Sequence, residues 1–166
     1  MQLTRILRHL IAPNWLARRA FPRASLQAIE LAVAAAEQRH AGELRFVVET
    51  GLPLAELLRD VSTRQRAVTV FSRLGVWDTE HNNGVLIYVQ LIDRRVEIVA
   101  DRGISAKVAQ AEWDAVCRGM EAAFRANDYG RGALAAIQRI ADLLAGHFPA
   151  QAGDKPNELS NRPELL

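Results

Sequence analysis

The fold is decided by two neighbouring stretches, Val85–Ile92 (VLIYVQLI) and Val96–Ala100 (VEIVA), which Asp93, Arg94 and Arg95 separate. The first stretch is almost continuously apolar, which is typical of a central strand covered on both faces. The second alternates apolar and polar residues, as a strand with one buried face does. Because so short a connection suits a tight turn, the sequence predicts an antiparallel β-hairpin.

The residues before the hairpin predict a further strand and several helices. Glu43–Thr50 (ELRFVVET) alternates between two faces and is typical of a strand. Ser62 and Gln65 have the spacing of a helix capping box. Because helices separate Glu43–Thr50 from the hairpin, we expect parallel pairing between this strand and Val85–Ile92. The fold class is α/β, and we expect a three-layer α/β/α sandwich with a mixed sheet containing the central β-hairpin.

The chain divides into three predicted parts. Residues 1–21 form a basic amphipathic N-terminal arm, and residues 22–148 form the core domain. Residues 149–166 (PAQAGDKPNELSNRPELL) are polar and contain prolines. Three leucines are too few to anchor such a segment against the entropy of ordering it. We therefore expect a disordered C-terminal tail.

The N-terminal arm has an uneven share of the charge. Of the 21 basic residues five lie in residues 1–23, which contain no acidic residue, and this leaves 16 basic against 19 acidic residues elsewhere. Leucines and isoleucine recur at helical spacing in the same stretch, at Leu3, Ile6, Leu7 and Leu10. Residues 1–20 therefore fit an anionic membrane surface. The alternative is that this stripe packs on the domain itself or in a groove of a protein partner.

Composition and charge exclude several classes of protein. A net charge of +2 is too small to indicate a nucleic-acid partner. The lone cysteine, Cys117, excludes an internal disulfide and lies at an apolar helical position, which favours a core residue over a reactive thiol. No apolar stretch approaches the ~18 residues that cross a bilayer, and arginines interrupt what would be a signal peptide. We expect a cytoplasmic protein, peripheral to the membrane if the arm binds lipid.

The familiar catalytic motifs are missing from the sequence. It contains no GxSxG elbow, Walker loop, GxGxxG turn or HExxH helix. The one dense polar cluster is residues 78–83 (DTEHNN), and it ends in Asn83-Gly84, a pair that tolerates positive φ. Antiparallel pairing of the hairpin places this loop beside the end of the second strand.

Oxygen-rich side chains at this edge of the sheet are candidate metal ligands. Asp78, Asn82, Asn83 and Asp101 carry the oxygen donors that Ca²⁺ and Mg²⁺ prefer. Arg102 can hold an anionic group with its planar guanidinium. The alternative is that these side chains cap turns and form surface pairs, which contribute little to stability.

Three stretches resemble a known family, the TPM domain family, which includes thylakoid-lumen and photosystem-repair proteins. They are residues 82–104 (NNGVLIYVQLIDRRVEIVADRGI), the helix of Trp113, and residues 124–137 (FRANDYGRGALAAI). The matching positions are Asn83, Gly84, Val85, Leu86, Asp93, Arg94, Gly103, Phe124, Asp128, Tyr129 and Gly132. The resemblance covers roughly residues 43–148 and implies an α/β/α sandwich, divalent-metal binding, and the weak acid-phosphatase activity of some plant members.

This chain departs from the pattern of secreted family members. We expect it to lack their signal peptide, and it has no aspartate before Asp60, where those members carry an early aspartate. The loss of that residue weakens both the metal and the phosphatase interpretations. We therefore expect a cytoplasmic bacterial TPM-domain accessory protein, acting as an interaction module near the inner membrane. The alternative is a weak acid phosphatase that depends on Ca²⁺ or Mg²⁺.

Overall fold

The computed structural model describes residues 2–13, 15–150 and 157–166, which contain eight helices and four strands. None of these helices is both long and apolar enough to cross a membrane. The helices are α1 (Gln2–Leu10), α2 (Trp15–Ala20), α3 (Arg23–Glu37), α4 (Leu54–Leu58), α5 (Thr63–Arg73), α6 (Arg102–Ser105), α7 (Gln110–Arg125) and α8 (Tyr129–His147), and the strands are β1 (Glu43–Glu49), β2 (Gly84–Gln90), β3 (Arg95–Ala100) and β4 (Glu164–Leu165).

The four strands form one mixed sheet in the order β3-β2-β1-β4. β1 pairs parallel with β2, from Glu43 opposite Gly84 to Glu49 opposite Gln90. β2 pairs antiparallel with β3 across the turn at residues 91–94. The predicted hairpin is confirmed, and so is the parallel pairing that the helical connection between β1 and β2 required.

Helices cover both faces of the sheet. Val85, Ile87 and Val89 of β2 point into a core shared with α3, α7 and α8, whereas Leu86 and Tyr88 point into a smaller core shared with α5. Every residue of β2 is buried, which explains its nearly continuous apolar sequence. The three-layer α/β/α sandwich is therefore confirmed.

Local capping and close packing fix the helices. Ser62 Oγ accepts from Gln65 N at 3.2 Å and Gln65 Oε1 accepts from Ser62 N at 2.9 Å, so the predicted capping box is present. A Cβ at Gly132 would lie 2.7 Å from Ala123 Cβ, so glycine is what lets α8 approach α7. Tyr129 closes the edge of the core by packing its ring against Phe21 and Phe124.

Residues 157–166 are not the disordered tail that the sequence predicted. Leu159 is buried, and Glu164–Leu165 form β4 beside β1. The prediction counted apolar side chains, whereas the segment is also held by backbone pairing to an open strand edge and by Arg45, which bonds to Glu164 at 2.6 Å. Residues 151–156 of the predicted tail lie outside the described residues.

Candidate functional site

The loop before β2 and the end of β3 lie side by side, as the hairpin requires. Asp101 N donates to Gly84 O at 2.9 Å, and Gly103 N donates to Asn82 O at 3.1 Å. Arg102 Nη2 donates to Asn82 Oδ1 at 3.2 Å. The structure thus brings Asn82, Arg102 and the start of α6 together, as the sequence predicted for the two ends.

Asp101 and Asn83 are buried, yet each keeps one oxygen that has no hydrogen-bond partner among the described residues. Asp101 Oδ1 caps α6 by accepting from Arg102 N at 2.6 Å, and its Oδ2 is unused. Asn83 Nδ2 donates to Ala41 O at 2.5 Å, and its Oδ1 is unused. Asp101 therefore caps α6 and Asn83 links the loop to Ala41, and each side chain retains one spare acceptor.

The strand alternation separates these two side chains. Asp101 lies opposite Gly84 and so shares the sheet face of Leu86, whereas Asn83 shares the face of Val85. Asn83 therefore belongs to the side of the large core, and Asp101 to the side of α5. The two unused oxygens lie on opposite faces of the sheet.

The acidic side chains around this loop offer few ligands to a cation. Asp78 is exposed, and within the described ranges no three His, Cys, Asp or Glu side chains lie close enough to hold a metal ion. A Ca²⁺ ion takes about six to eight oxygen ligands. A cation bound at Asp101 would need main-chain carbonyl or water oxygens as well, and the predicted metal site stays a prediction.

Gly84 is required by close approach and not by an unusual backbone conformation. A Cβ at this position would lie 1.9 Å from Val76 O, and a Cβ at Gly103 would lie 2.7 Å from Asn82 O. The positive φ expected at the Asn83-Gly84 pair occurs one residue earlier, at Asn82, with a value of 51°. Glycine at position 84 therefore lets the loop lie directly against β2.

A buried ion cluster joins α4 and α5 to the end of β1. Arg66 bonds to both oxygens of Glu49, at 2.9 and 2.5 Å, and to Glu56 at 2.5 Å. The Tyr88 hydroxyl donates to Glu49.

The hydrogen bond between Arg66 and Glu49 raises the pKa of Arg66 despite burial, so the guanidinium stays charged. Burial, followed by the negative charge of Glu49, raises the pKa of Tyr88, so the phenol stays neutral. This cluster could not be predicted from the sequence, because its members lie in four different elements.

The polar side of α1 covers the carboxyl ends of β1 and β2, where open α/β sheets usually bind ligands. Asp93 accepts from Arg5 Nη2 at 2.8 Å and lies 3.0 Å from His9 Nε2. Leu52 N donates to His9 Nδ1 at 2.9 Å, so the hydrogen of a neutral imidazole lies on Nε2 and points to Asp93. Burial raises the pKa of Asp93, but the hydrogen bonds from Arg5 and His9 outweigh this effect and hold it below its usual value.

Most of the apolar stripe of α1 consequently faces away from the domain, since Leu3, Leu7 and Leu10 are exposed, whereas Ile6 is half-buried. The described residues include ten exposed large apolar side chains; five lie at positions 3–15 and two more in α4, which packs beside α1. We call these seven residues the apolar outer face: Leu3, Leu7, Leu10, Ile11, Trp15, Leu54 and Leu58. The Arg19 guanidinium lies 5.9 Å from the Trp15 ring centroid. The exposed apolar side chains of α1 and α4 therefore lie on neighbouring helices, and Trp15, with Arg19 beside it, follows α1 in the chain.

Trp113 is a core residue, as the sequence predicted, and Cys117 is half-buried against the large core. Trp113 is 2% exposed in the large core. Burial, followed by the negative charge of Glu97, raises the pKa of the Cys117 thiol to about 12. The thiol is therefore protonated at neutral pH and is no nucleophile.

Comparison with known proteins gives a consistent family match. The sequence profile of the TPM domain matches residues 18–143. The BA42 protein of the psychrophilic bacterium Bizionia argentinensis, known from NMR, is 29% identical, with a TM-score of 0.75 over 86% of this chain and 93% of that one. The N-terminal domain of a P. gingivalis protein is 18% identical, with a TM-score of 0.61 over 82% and 90%, and so shares the fold. Among curated proteins no sequence matches.

Proposed function

The chain belongs to the TPM domain family, and from this premise we propose that it is a non-enzymatic accessory module that binds the anionic cytoplasmic surface of a bacterial membrane. The binding surface is the apolar outer face. In this proposal the sandwich serves as a rigid support that presents α1 and α4 to the lipid.

The observation that carries this proposal is the orientation of α1. A surface helix normally turns its apolar stripe toward the core. Here Arg5 and His9 point inward, while Leu3 and Leu7 are 81% and 57% exposed. Burial of apolar surface is favourable by about 25 cal/mol per Å², and an apolar stripe that stays in water lacks this stabilisation. A helix that lies in a membrane interface recovers this free energy.

Charge and aromatic content around the face support an anionic bilayer as the partner. Arg8, Arg18 and Arg19 are exposed, and the first 23 residues carry no acidic side chain. A basic residue close to an anionic leaflet contributes about 1 kcal/mol to binding. Trp15 adds a side chain of the type enriched at membrane interfaces.

Co-sedimentation with lipid vesicles tests the proposal. The full chain should sediment with vesicles rich in phosphatidylglycerol at low salt, should sediment less with zwitterionic vesicles, and should be released by salt. Leu7→Glu should weaken binding by at least about tenfold, because it places a charge in the apolar outer face. Leu31→Glu is the matched control, since Leu31 is 64% exposed on α3, away from that face, and this variant should bind as the parent does.

Two results would contradict membrane binding. One is the absence of sedimentation with anionic vesicles at low salt. The other is equal weakening by Leu7→Glu and Leu31→Glu. Either result would leave a hydrophobic groove of a protein partner as the occupant of the apolar outer face.

A second candidate function, a weak acid phosphatase dependent on Ca²⁺ or Mg²⁺, rests on the buried, unused Oδ2 of Asp101 beside Arg102. In this alternative Asp78, Asn82 and Asp101 would supply protein ligands to the cation, and Arg102 would bind the phosphate, whereas Asn83, on the opposite face of the sheet, would take no part. Bound metal would polarise the phosphoryl oxygen. Hydrolysis of a generic phosphate ester should then require the metal and disappear in Asp101→Asn and Asp78→Asn. Background hydrolysis that neither substitution nor chelator changes would rule the phosphatase out.

A further inference from the structure

The C-terminal segment, residues 157–166, is seated on the sheet in the manner of a bound peptide. Its strand β4 extends the sheet at the free edge of β1, with Glu164 opposite Val47 and Leu165 opposite Val48. Leu166 N donates to Val48 O at 2.9 Å, and Thr50 N donates to the Leu166 carbonyl oxygen at 3.3 Å. Addition of an extended segment to an open strand edge is a recurrent mode of peptide recognition.

Side chains of the segment occupy defined positions on both faces of the sheet. Leu159 is buried in the small core, and its N–H donates to Glu43 Oε2 at 3.2 Å. Leu165 packs against the large core. These two leucines anchor the segment at either end, in addition to the backbone pairing.

The guanidinium of Arg45, in β1, binds the middle of the segment. Its Nη1 donates to the carbonyl oxygens of Ser160, at 2.5 Å, and Arg162, at 3.0 Å. Its Nη2 bonds to Glu164 at 2.6 Å. The Arg45 guanidinium therefore binds both the extended backbone and one acidic side chain. This favours a segment that has a glutamate directly before the leucine at position 165.

The attachment is slight in comparison with the rest of the sheet. β4 pairs with β1 over two residues, whereas β1 and β2 pair over seven. Leu165 and Leu166 are only half-buried. An open cleft of about 760 Å³ runs beside β4, between α3 and residues 160–165. Elements with short ladders and partly exposed anchors open at lower free energy than the core does.

We propose that the edge of β1 is a peptide-binding site, that residues 157–166 occupy it as a built-in ligand, and that an extended segment of a partner protein displaces them. The partner segment carries a leucine and, five residues later, a Glu-Leu-Leu sequence, because Leu159 and Glu164 set that spacing. The open cleft accommodates larger side chains of the partner at the positions that flank the glutamate.

A peptide-binding assay on the full chain tests this site. The substitutions Leu159→Asp and Leu165→Asp, made together, remove the anchors of the built-in ligand and leave β1 intact. A fluorescent peptide of residues 157–166 (NELSNRPELL) should bind this variant saturably, and the parent chain at least about tenfold more weakly, because its site is filled. The same peptide with Leu165→Asp is the matched control and should not bind.

A charge swap checks that binding occurs at Arg45. Adding Arg45→Glu to the variant should weaken binding of the native peptide by at least about tenfold, and a peptide with Glu164→Arg should recover part of that loss. Failure of the peptide to bind a variant that keeps its native circular dichroism would overturn the proposal. An equal effect of the swap on both peptides would do so as well.

Hydrogen exchange of the parent chain tests displacement without any substitution. The amides of Leu159 and Leu166 should exchange at least about tenfold faster than those in the middle of β1 and β2. Exchange of these amides only through global unfolding would show that the segment is a permanent strand, and would refute the proposal. A dimer that grows with concentration would identify a second copy as the donor of the segment and refute a separate partner.

Discussion

Removal of Arg66 should be among the most damaging single changes to the stability of this protein. Arg66→Met leaves Glu49, which is 3% exposed at its side chain, without its bidentate partner. Removing one partner of a buried ion pair costs about 3–5 kcal/mol, because the other charge stays in a poorly solvated place. For a domain of this size the loss corresponds to a fall in Tm of roughly 6–20 °C.

Urea unfolding of the variant and the parent, followed by circular dichroism near pH 7, measures this loss. Glu49→Gln added to Arg66→Met should recover a large part of the free energy of unfolding, whereas independent contributions would add. A loss below about 1 kcal/mol, or a double variant less stable than Arg66→Met, would refute the view that the pair acts as one buried unit.

Three further predictions concern a glycine, the α1 attachment and the cysteine. Gly84→Ala should lower the free energy of unfolding by about 1–3 kcal/mol, because its Cβ would meet Val76 O at 1.9 Å, whereas Gly119→Ala, with open space around it, should not destabilise in the same urea titration. The lowered pKa of Asp93 stabilises the attachment of α1 above the unfolded pKa near 3.8, and this contribution is lost as the pH falls through the folded value. Hydrogen-exchange protection of α1, measured relative to the intrinsic exchange rate at each pH, should therefore fall in acid, and in Asp93→Asn it should be low already at neutral pH; unchanged protection would contradict the role of Asp93. Cys117, with a pKa of about 12, should react with a thiol reagent at least about a hundredfold more slowly than in the unfolded chain, and equal rates would contradict its burial.

Elements defined by short-range patterns could be predicted from the sequence. The hairpin, the strand β1 and the Ser62 capping box each depend on residues close together in the chain, and each is confirmed. The contact between the loop before β2 and the start of α6 was also predictable, because hairpin pairing alone brings these ends together. These features share one property, which is that neighbours in sequence determine them.

Features that depend on distant partners could not be predicted in this way. Glu49, Arg66 and Tyr88 belong to separate elements, and nothing in their spacing indicates that they meet. The docking of residues 157–166 depends on an open edge of β1 and on Arg45, both far away in the chain. The amphipathic pattern of α1 was visible, but its orientation depends on Asp93, which attracts the polar side inward.

The edges and strand ends of the sheet differ in what covers them. This difference explains why the proposed membrane and peptide interactions involve residues near the two ends of the sequence. The outer edge of β3 is closed by side chains from the surrounding helices: Glu121 accepts from Val96 N at 3.2 Å, and Arg64 donates to Ile98 O at 2.5 Å. Both side chains extend from helices, α5 and α7, that pack on the core. The carboxyl ends of β1 and β2 are covered by α1, which ion pairs and hydrogen bonds hold in place. The edge of β1 is covered by residues 157–166, which Leu159, Leu165 and Arg45 hold in place. A partner can therefore gain access to this domain at low cost by engaging or displacing either terminal segment, while the core remains folded.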